Sequence, residues 1–372
     1  MNRFRELFPI TEEYAYLNSA ATSPLARPVK QAMEECIEDQ HRHGNRRWEG
    51  GWTDKEMDVR EKLAELTGVS AEEIAIVGNT VQGLSAVASG LDWKAGDNVV
   101  TDSLENPANV YPWLNLEQRF GVEVQIVPAR DGRVMPDDLF AAADERTRVI
   151  TVSSVQWTNG FKTDLATIGT FCRERGIYFV VDAIQGLGAL RFYPRELGVD
   201  FFSAGAYKSL LGPVGIGCFF CRKELLGELW PAGAGHRSVV DATTLHYRME
   251  LRPSAQRFEG GALNYVGLYG LNASLDIIKQ ARIKDIERHV LGLTDLLIRR
   301  LQEKGYRVLS SLQPEERSGI VSFRHAQHDP ARLVESLAES KVIVSLREGA
   351  VRASVHLYNN EDDIDRLIEA LP

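Results

Sequence analysis

The first two thirds of the chain alternate between short apolar runs and longer segments in which apolar residues recur at helical spacing. The short runs are predicted as strands over 74–77, 98–101, 122–127, 149–152, 178–181, 201–203 and 217–220. The longer segments are predicted as helices over 27–43, 54–67, from residue 80, 107–120 and 164–175. Several runs are almost continuously apolar, as strands are when helices cover both faces of a parallel sheet. This alternation predicts an α/β domain with a mostly parallel central sheet and helices on both faces.

The pattern changes after residue 263. Two helices are predicted within 264–303, followed by strands at 306–309, 320–323, 342–345 and 351–355 and helices at 330–340 and 361–371. We therefore expect a large α/β domain over 16–262 and a smaller α+β domain over 263–372. An N-terminal arm, 1–15, is expected to belong to the smaller domain. A loop rich in glycine, arginine and tryptophan, 44–52, is expected either to line a substrate entrance or to lie on the surface.

The composition is that of an ordinary globular protein, with 372 residues of which 44% are hydrophobic and 26% charged. The formal net charge of -9 argues against a nucleic-acid partner. The charged N-terminus is unlike a secretory signal, and no apolar stretch reaches the length of about 18 residues that a membrane span requires. Cys218 and Cys221 lie in a strand-like aromatic run, where packing is their expected role. We therefore expect a cytoplasmic protein without a membrane partner.

Two polar residues are expected at strand ends in the middle of the chain. Asp182 follows the apolar run 178–181, and Lys208 lies between a run of small residues and a glycine-proline turn. Ligands of α/β sheets bind at the carboxyl ends of strands, where both residues would lie. A buried amine and a buried acid suit pyridoxal 5'-phosphate (PLP), whose aldehyde binds an amine and whose ring nitrogen pairs with an acid. From these residues alone, a turn aspartate and a surface lysine are an equal alternative.

Several motifs, in order along the chain, closely resemble those of the class V aminotransferases. They are the first block 16–21, the segment 182–185, Tyr207 and Lys208 with the glycine-rich 212–217, the segment 257–264 and the late block 352–359. Each motif is weak alone, but their order over nearly the whole chain makes the resemblance specific. It implies the type I fold of PLP-dependent enzymes, PLP as cofactor and a small α-amino acid as substrate. It also implies a homodimer with active sites at the interface.

The resemblance gives roles to the central residues. Lys208 would form the Schiff base with the cofactor and, once an amino acid displaces it, would act as the base that moves the α-proton. Asp182 would keep the ring nitrogen protonated, because a nearby negative charge favours the cationic form. Gln185 would hydrogen-bond the phenolic oxygen of the ring. A protonated ring withdraws electrons from the substrate carbanion.

The phosphate and carboxylate groups also have expected partners. Asn79 and Thr80 lie between a predicted strand and a helix start, where backbone N–H groups and the helix dipole favour an anion. An ordinary helix N-cap is the alternative there. Arg352 matches the family arginine that binds the substrate α-carboxylate, and its planar guanidinium suits a bidentate pair. Three further residues are expected beside the ring or the substrate: Asn18, Gln156 and Trp157.

Four positions depart from the family pattern. Asn106 stands where a histidine or aromatic residue often stacks on the ring, and Tyr207 where a histidine often precedes the lysine. Gly205 replaces a serine that commonly binds the phosphate, and Ala262 replaces a threonine that reaches the phosphate across the dimer. We therefore expect phosphate binding to depend on Thr80, Tyr207 and main-chain N–H groups.

The most informative departure precedes Arg352. Cysteine desulfurases of this family carry a catalytic cysteine on a loop ahead of this arginine, but the segment 345–350 is short and contains none. No cysteine follows Cys221. Because the thiolate nucleophile is missing, the sequence argues against a desulfurase that forms a persulfide on the protein.

The reaction type stays open at the level of sequence. The leading hypothesis is a class V aminotransferase that acts on a small α-amino acid through Lys208. The alternatives are a C–S or C–Se β-lyase without a catalytic cysteine, an epimerase, and an inactive PLP-binding paralogue, which the changes at Asn106, Gly205 and Ala262 motivate. A nicotinamide enzyme is disfavoured, because the segment 186–191 lacks the third glycine of the dinucleotide fingerprint.

Overall fold

The computed structural model describes residues 1–244 and 246–372. The strands in these ranges, numbered β1 to β13 in chain order, are Ala15–Tyr16, Ile74–Val77, Asn98–Asp102, Glu123–Val127, Thr147–Ser153, Tyr178–Asp182, Phe201–Gly205, Gly217–Cys221, Arg307–Val308, Ile320–Arg324, Val342–Ile343, Ser345–Arg347 and Ala350–Ser354. The α-helices, α1 to α11, are Asn2–Arg5, Arg27–His43, Thr53–Thr67, Thr80–Gly90, Tyr111–Phe120, Pro136–Ala142, Leu165–Arg175, Tyr265–Ala281, Ile283–Glu303, Pro330–Glu339 and Glu361–Ala370. None of these helices is long and apolar enough to cross a membrane.

The central sheet contains seven strands in the order β2-β8-β7-β6-β5-β3-β4. Neighbouring strands pair in parallel along the part of the sheet with the order β7-β6-β5-β3-β4. β8 is antiparallel to both of its neighbours, so β2 runs in the same direction as the parallel set. The carboxyl ends of β2, β3, β5, β6 and β7 therefore lie along one edge of the sheet, where α/β proteins bind ligands.

Burial explains why the strands of this sheet are apolar runs. Every residue of β2, β3, β7 and β8 is buried, whereas β4 at the edge of the sheet is partly exposed. Strands that are covered on both faces cannot alternate between apolar and polar residues. The predicted α/β architecture with a mostly parallel sheet is confirmed.

A second sheet, in the order β12-β13-β10-β9, is antiparallel throughout. The N-terminal segment packs on this part of the chain: β1 pairs with β11, and Asn18 forms a bridge with Ser354. Arg5 forms an ion pair of 2.7 Å with the buried Asp363 of α11. The division into domains at 262 and 263 stays a prediction.

A buried network of charges joins α3 to the segment before α8. Glu259 is fully buried and accepts hydrogen bonds from Arg60 at 2.5 Å and from the backbone N–H of Ile76 at 2.8 Å. Arg237 forms ion pairs with both Glu56 and Glu259. Each carboxylate thus has a cationic partner, and a buried charge without such a partner would be strongly destabilising.

Some local predictions were wrong at their boundaries. The helix predicted over 107–120 begins only at Tyr111, because Asn106 caps a separate 3-10 turn, Pro107–Asn109, through a hydrogen bond from the Ala108 N–H. The strand predicted over 342–345 is divided, since β11 pairs with β1 while β12 pairs with β13. The short helix α6 had no counterpart in the prediction.

The segment 44–52 is also more ordered than a loop. It ends in a π-helical turn, Trp48–Trp52. Trp52 is buried, and its ring lies 5.3 Å from that of Tyr265, measured between centroids. This tryptophan therefore packs in the core instead of lying on the surface.

Candidate active site

Most residues that the sequence singled out lie at the carboxyl edge of the central sheet. They are Asn79 and Thr80 after β2, Asn106 after β3, Gln156 and Trp157 after β5, Asp182 at the end of β6, Gln185 after it, and Tyr207 and Lys208 after β7. Asn18 reaches this edge from the N-terminal segment and Arg352 from β13. Ala262 differs from the rest, because it is exposed on the segment before α8.

Lys208 and Asp182 form the charged centre of the site, with exposed fractions of 9% and 2%. Oδ1 of Asp182 accepts a hydrogen bond of 2.9 Å from the Ile184 N–H, which orients the carboxylate. Burial raises the pKa of Asp182 to about 7, although the Ile184 N–H and Lys208 oppose the shift. A positive charge placed close to Asp182 would therefore favour the ionised form of its carboxyl group.

The surroundings of Lys208 shift the pKa of its amine in both directions. Burial lowers the pKa of Lys208 to about 8. Asp182 opposes this shift, whereas the positive charges of Arg352 and Arg347 add to it. The amine is closer to its neutral form than an exposed lysine, as a nucleophile or base must be.

The segment that carries Lys208 is held from two sides. The hydroxyl of Ser209 donates to the carbonyl of Gln185 at 2.8 Å, and Nε2 of His356 contacts the carbonyl of Ser209 at 3.0 Å. Gln185 in turn donates to the carbonyl of Ala20 at 3.0 Å. The Tyr207 ring centroid lies 5.6 Å from Nζ of Lys208. These hydrogen bonds hold the backbone of the lysine segment in place relative to the sheet.

His356 is a residue of this site that the sequence left without a role. Its Nδ1 accepts a hydrogen bond from the Leu357 N–H, so Nε2 carries the proton and donates to Ser209. Burial lowers the pKa of His356 to about 4. The ring is therefore neutral at physiological pH and acts as a fixed support for the lysine segment.

The amino terminus of α4 lies at the same edge. Asn79 caps the helix by accepting a hydrogen bond from the Gln82 N–H at 3.0 Å. The hydroxyl of Thr80 accepts one from the Gly205 N–H at 2.9 Å, which joins the helix start to the end of β7. N–H groups in the first turn of a helix have no intrahelical acceptor, and they favour an anion such as a phosphate.

A second buried acidic group was also missed by sequence reasoning. The Glu105 carboxylate accepts hydrogen bonds from Ser153, from Asn109 at 2.8 Å and from Nε2 of Gln156 at 2.8 Å. Nε2 of Gln156 also donates to Asp102 at 3.3 Å. Burial, with the repulsion of Asp102, raises the pKa of Glu105 to about 8, and burial raises that of Asp102 to about 6. Both carboxyl groups are therefore harder to ionise than exposed ones.

Arg352 contributes a guanidinium from the second sheet and is 1% exposed. Its Nη1 donates to the carbonyl of Trp157 at 2.5 Å, and its Nε donates to the hydroxyl of Ser345 at 3.2 Å. Its buried Nη2 has no hydrogen-bond partner among the described residues. Because an unpaired buried donor is costly, this atom is suited to a carboxylate of a bound ligand.

The residues present fit PLP together with an amino acid. Besides Nη2 of Arg352, two buried oxygens of the site lack partners within 1–244 and 246–372: Oδ1 of Asn18 and Oε1 of Gln156. Buried polar atoms are nearly always paired in native proteins, so a ligand is expected to complete them. With PLP bound at this edge, Lys208 would offer an amine to the aldehyde, Asp182 an acid to the ring nitrogen, and α4 its N–H groups to the phosphate.

Comparison with known proteins identifies the class of protein. Residues 15–367 match the family model described as "Aminotransferase class-V". The chain belongs to this family, whose members use PLP. The predicted family, cofactor and enzyme class are confirmed, and the nicotinamide alternative is set aside.

The relatives and solved structures that resemble the chain include cysteine desulfurases and a cystine C–S lyase. A probable cysteine desulfurase of Methanothermobacter thermautotrophicus is 32% identical over 398 residues, which cover 99% of this chain and 96% of the relative. The apo cysteine desulfurase of Thermococcus onnurineus superposes with a TM-score of 0.90 at 26% identity, over 99% of this chain and 96% of that one. C-DES, with glycine covalently linked to its PLP, superposes with a TM-score of 0.91 at 23% identity, over 98% of both chains. A complex of this cystine C–S lyase with its product, cysteine persulfide, has a TM-score of 0.89 over 97% of this chain and 98% of that one, also at 23% identity. The fold is therefore the type I fold of PLP-dependent enzymes.

Proposed function

We propose that the protein is a PLP-dependent C–S β-lyase, which cleaves cysteine or an S-substituted cysteine and releases the sulfur as a free small molecule. We therefore favour the lyase alternative over the class V aminotransferase, which was the leading hypothesis from the sequence. One observation carries it: a tight two-residue turn, without a cysteine, lies just before Arg352 in a chain whose relative at 32% identity is named a probable cysteine desulfurase.

The hairpin leaves no room for a loop that could carry a sulfur-accepting residue. Arg347 of β12 pairs with Ala350 of β13, so Glu348 and Gly349 alone form the turn. Both have positive φ angles, 46° and 67°, which is the geometry of the two-residue turns that join strands most tightly.

The cysteines of the chain are unsuited to accept sulfur. All four are free and buried: Cys36, Cys172, Cys218 and Cys221. Burial raises the pKa of each thiol, to about 11 for Cys36 and about 12 for Cys218. A thiolate is the reactive form of cysteine, so these side chains stay inert at neutral pH. Sulfur that is cleaved from a substrate is therefore expected to leave the protein.

The proposed residues divide the work of β-elimination among them. Bound PLP supplies the electron withdrawal that makes the proton on Cα acidic. Nη2 of Arg352 binds the substrate α-carboxylate, and the amine of Lys208 removes the proton from Cα. The Cβ–S bond then breaks, and its electron pair leaves on sulfur. With cysteine and one water, the products balance as pyruvate, ammonia and hydrogen sulfide.

We propose further that the remaining residues hold the cofactor and the substrate. Asp182 pairs with the ring nitrogen, Gln185 with the phenolic oxygen, and Asn79, Thr80 and Tyr207 with the phosphate. Asn106, Asn18, Gln156 and Trp157 border the ring or the substrate. Ala262 is exposed on its own subunit, which suits a position that meets the cofactor of a second subunit in a homodimer.

Product analysis tests the proposal. Purified holoenzyme is supplied with L-cysteine or L-cystine, with and without 2-oxoglutarate, and pyruvate, alanine and sulfide are quantified. We expect pyruvate and sulfide in equal amounts from cysteine without a keto acid. Alanine as the main product would instead indicate a desulfurase, and turnover that requires the keto acid would indicate an aminotransferase.

A further inference from the structure

Two buried carboxyl groups, those of Asp102 and Glu105, meet at the amide of Gln156. Nε2 of Gln156 donates to Oε1 of Glu105 at 2.8 Å and to Oδ2 of Asp102 at 3.3 Å. All three side chains are buried. Burial disfavours the ionised form of a carboxyl group, and a second negative charge nearby disfavours it further. We therefore do not expect both groups to be ionised together at neutral pH.

No cation compensates these two carboxyl groups in the part of the chain that the structure describes. The other charged groups around Glu105 are Asp182 at the end of β6 and the residues that share with Glu105 a cleft between the second sheet and the loops after β3 and β5: Asp131, Arg133, Arg307, Arg347 and Glu348. Arg133 forms its ion pair with Glu316, and Lys208 acts on the carboxyl group of Asp182. None of the arginines forms an ion pair with either carboxyl group of the pair. The pair is therefore expected to keep one proton.

The same hydrogen bonds decide which end of the Gln156 amide is free. A side-chain amide has an NH2 group that donates and an oxygen that accepts. Two carboxyl groups with one proton between them offer mainly acceptors, so they hold the NH2 group and leave the oxygen free. Oε1 of Gln156 is buried and has no hydrogen-bond partner within 1–244 and 246–372.

This free acceptor lies close in the chain to a free donor. Trp157 follows Gln156, and the Trp157 carbonyl accepts a hydrogen bond from Nη1 of Arg352. Nη2 of the same guanidinium is buried and has no partner among the described residues. An unpaired acceptor and an unpaired donor together complement the amino group and the carboxylate of an amino acid.

We infer that Asp102 and Glu105 share one proton and act as positioning residues, which hold Gln156 so that its Oε1 accepts a hydrogen bond from the amino group of the bound amino acid. The inference rests on the proposed placement of Gln156 beside the substrate. A carboxylic acid that lacks the amino group is bound by Arg352 but gains nothing from Gln156. The acid pair thus contributes to the selection of amino acids over other carboxylic acids.

A matched pair of ligands tests the role of the amide oxygen. L-Cysteine carries the amino group, and 3-mercaptopropionate is the same molecule without it. Borohydride reduction of the holoenzyme attaches the cofactor permanently to Lys208, so both ligands bind without covalent reaction and calorimetry reports their affinities. We expect Gln156→Met to weaken binding of L-cysteine about tenfold and to leave 3-mercaptopropionate unchanged, because only the amino group loses an acceptor. An equal change for both ligands would overturn the inference.

Glu105→Met tests the positioning by the acid pair in the same assay. This variant removes the acceptor of Nε2, so we expect the same selective loss for L-cysteine. Glu105→Gln keeps an oxygen at this place and should retain most of the affinity. The control, Glu145→Met, removes an exposed glutamate and should change neither affinity. A purely structural role of Glu105 would weaken both ligands equally, which would contradict the inference. If Glu105→Met does not fold, Glu105→Asp replaces it, because the shorter side chain moves the acceptor away from Nε2.

The shared proton has a spectroscopic test that does not depend on activity. In apoprotein with carbon-13-labelled glutamate, the infrared C=O band of protonated Glu105 should be present at neutral pH and should disappear as the pH rises through about 8. Repulsion by Asp102 raises the pKa of Glu105, so Asp102→Asn should move this transition to lower pH. Glu105→Gln identifies the band by its loss, and the exposed Asp92→Asn should leave the transition unchanged. The absence of such a band at neutral pH, or an unchanged transition in Asp102→Asn, would refute the shared proton.

These measurements also separate the inference from the proposed reaction. If the selective loss of L-cysteine binding appears but no pyruvate forms from cysteine, only the lyase proposal fails. If pyruvate and sulfide form but Gln156→Met and Glu105→Met weaken both ligands equally, only the inference about the acid pair fails.

Discussion

Lys208 is surrounded by charges that shift its pKa in opposite directions. Asp182 raises this pKa, and Arg352 lowers it. Asp182→Asn removes the raising influence, so the amine should become neutral at a lower pH than the value of about 8, whereas Arg352→Gln should move the midpoint to higher pH. The rate of reductive methylation of Lys208 with formaldehyde, followed in the apoprotein by mass spectrometry across pH, measures this midpoint.

Lys208→Ala is the control for that measurement, because the modified peptide must disappear. Equal midpoints in the wild type, Asp182→Asn and Arg352→Gln would contradict the electrostatic account of the site. Methylation of an exposed lysine such as Lys30 provides an internal standard for the extent of the reaction.

The sequence predicts some residues of the site better than others, and the difference has a physical cause. Asp182 and Lys208 follow apolar runs, so their place at strand ends can be read from local pattern. Glu105 and Arg347 lie in polar segments that resemble surface. Their burial and their neighbours depend on contacts with residues far away in the chain, such as Ser153 and Trp157, which no local pattern contains.

At the scale of elements, the network around Glu259 tests how the segment before α8 is held against α3. Glu259→Gln removes the negative charge that pairs with Arg60 and Arg237 inside the protein. We expect a loss of about 3–5 kcal/mol in the free energy of unfolding, because Arg60 and Arg237 would then share the single carboxylate of Glu56. Urea denaturation of the purified variant measures this loss.

The matched control is Glu65→Gln, which breaks an exposed ion pair between α3 and Lys279 of α8. Exposed pairs of this kind contribute at most about 1 kcal/mol. A Glu259→Gln protein as stable as the Glu65→Gln protein would show that the buried network contributes little.

Element boundaries show where local pattern stops being sufficient. The helix predicted from 107 starts at Tyr111, because a side-chain cap at Asn106 stabilises a separate turn first. The strand predicted over 342–345 is divided because its two parts pair with different strands, one near the N-terminus and one next along the chain. Both features depend on hydrogen-bond partners that the apolar pattern does not specify.

At the scale of the whole molecule, the alternation of strands and helices was sufficient to predict the α/β class. The order β2-β8-β7-β6-β5-β3-β4 could not be predicted from the same pattern, because pairing joins strands that are distant in sequence. The antiparallel insertion of β8 between β2 and β7 is the clearest example.

The proposed homodimer is a prediction at this scale. We expect light scattering of the purified protein to give twice the chain mass of 41.5 kDa. Ala262→Trp should weaken cofactor binding in the dimer, because a bulky side chain would enter the site of the second subunit. A fully active species of 41.5 kDa, or a tryptophan variant that binds PLP normally, would contradict the shared site.

The two-residue turn at Glu348 and Gly349 has a consequence for sulfur supply in the cell. A mobile arm that carries bound sulfur allows direct transfer to an acceptor docked on the protein surface. Without such an arm, the sulfide that we propose as product must diffuse through solution to reach the protein that uses it. The yield of any downstream sulfur compound would then follow the concentration and affinity of competing scavengers instead of the formation of a protein complex.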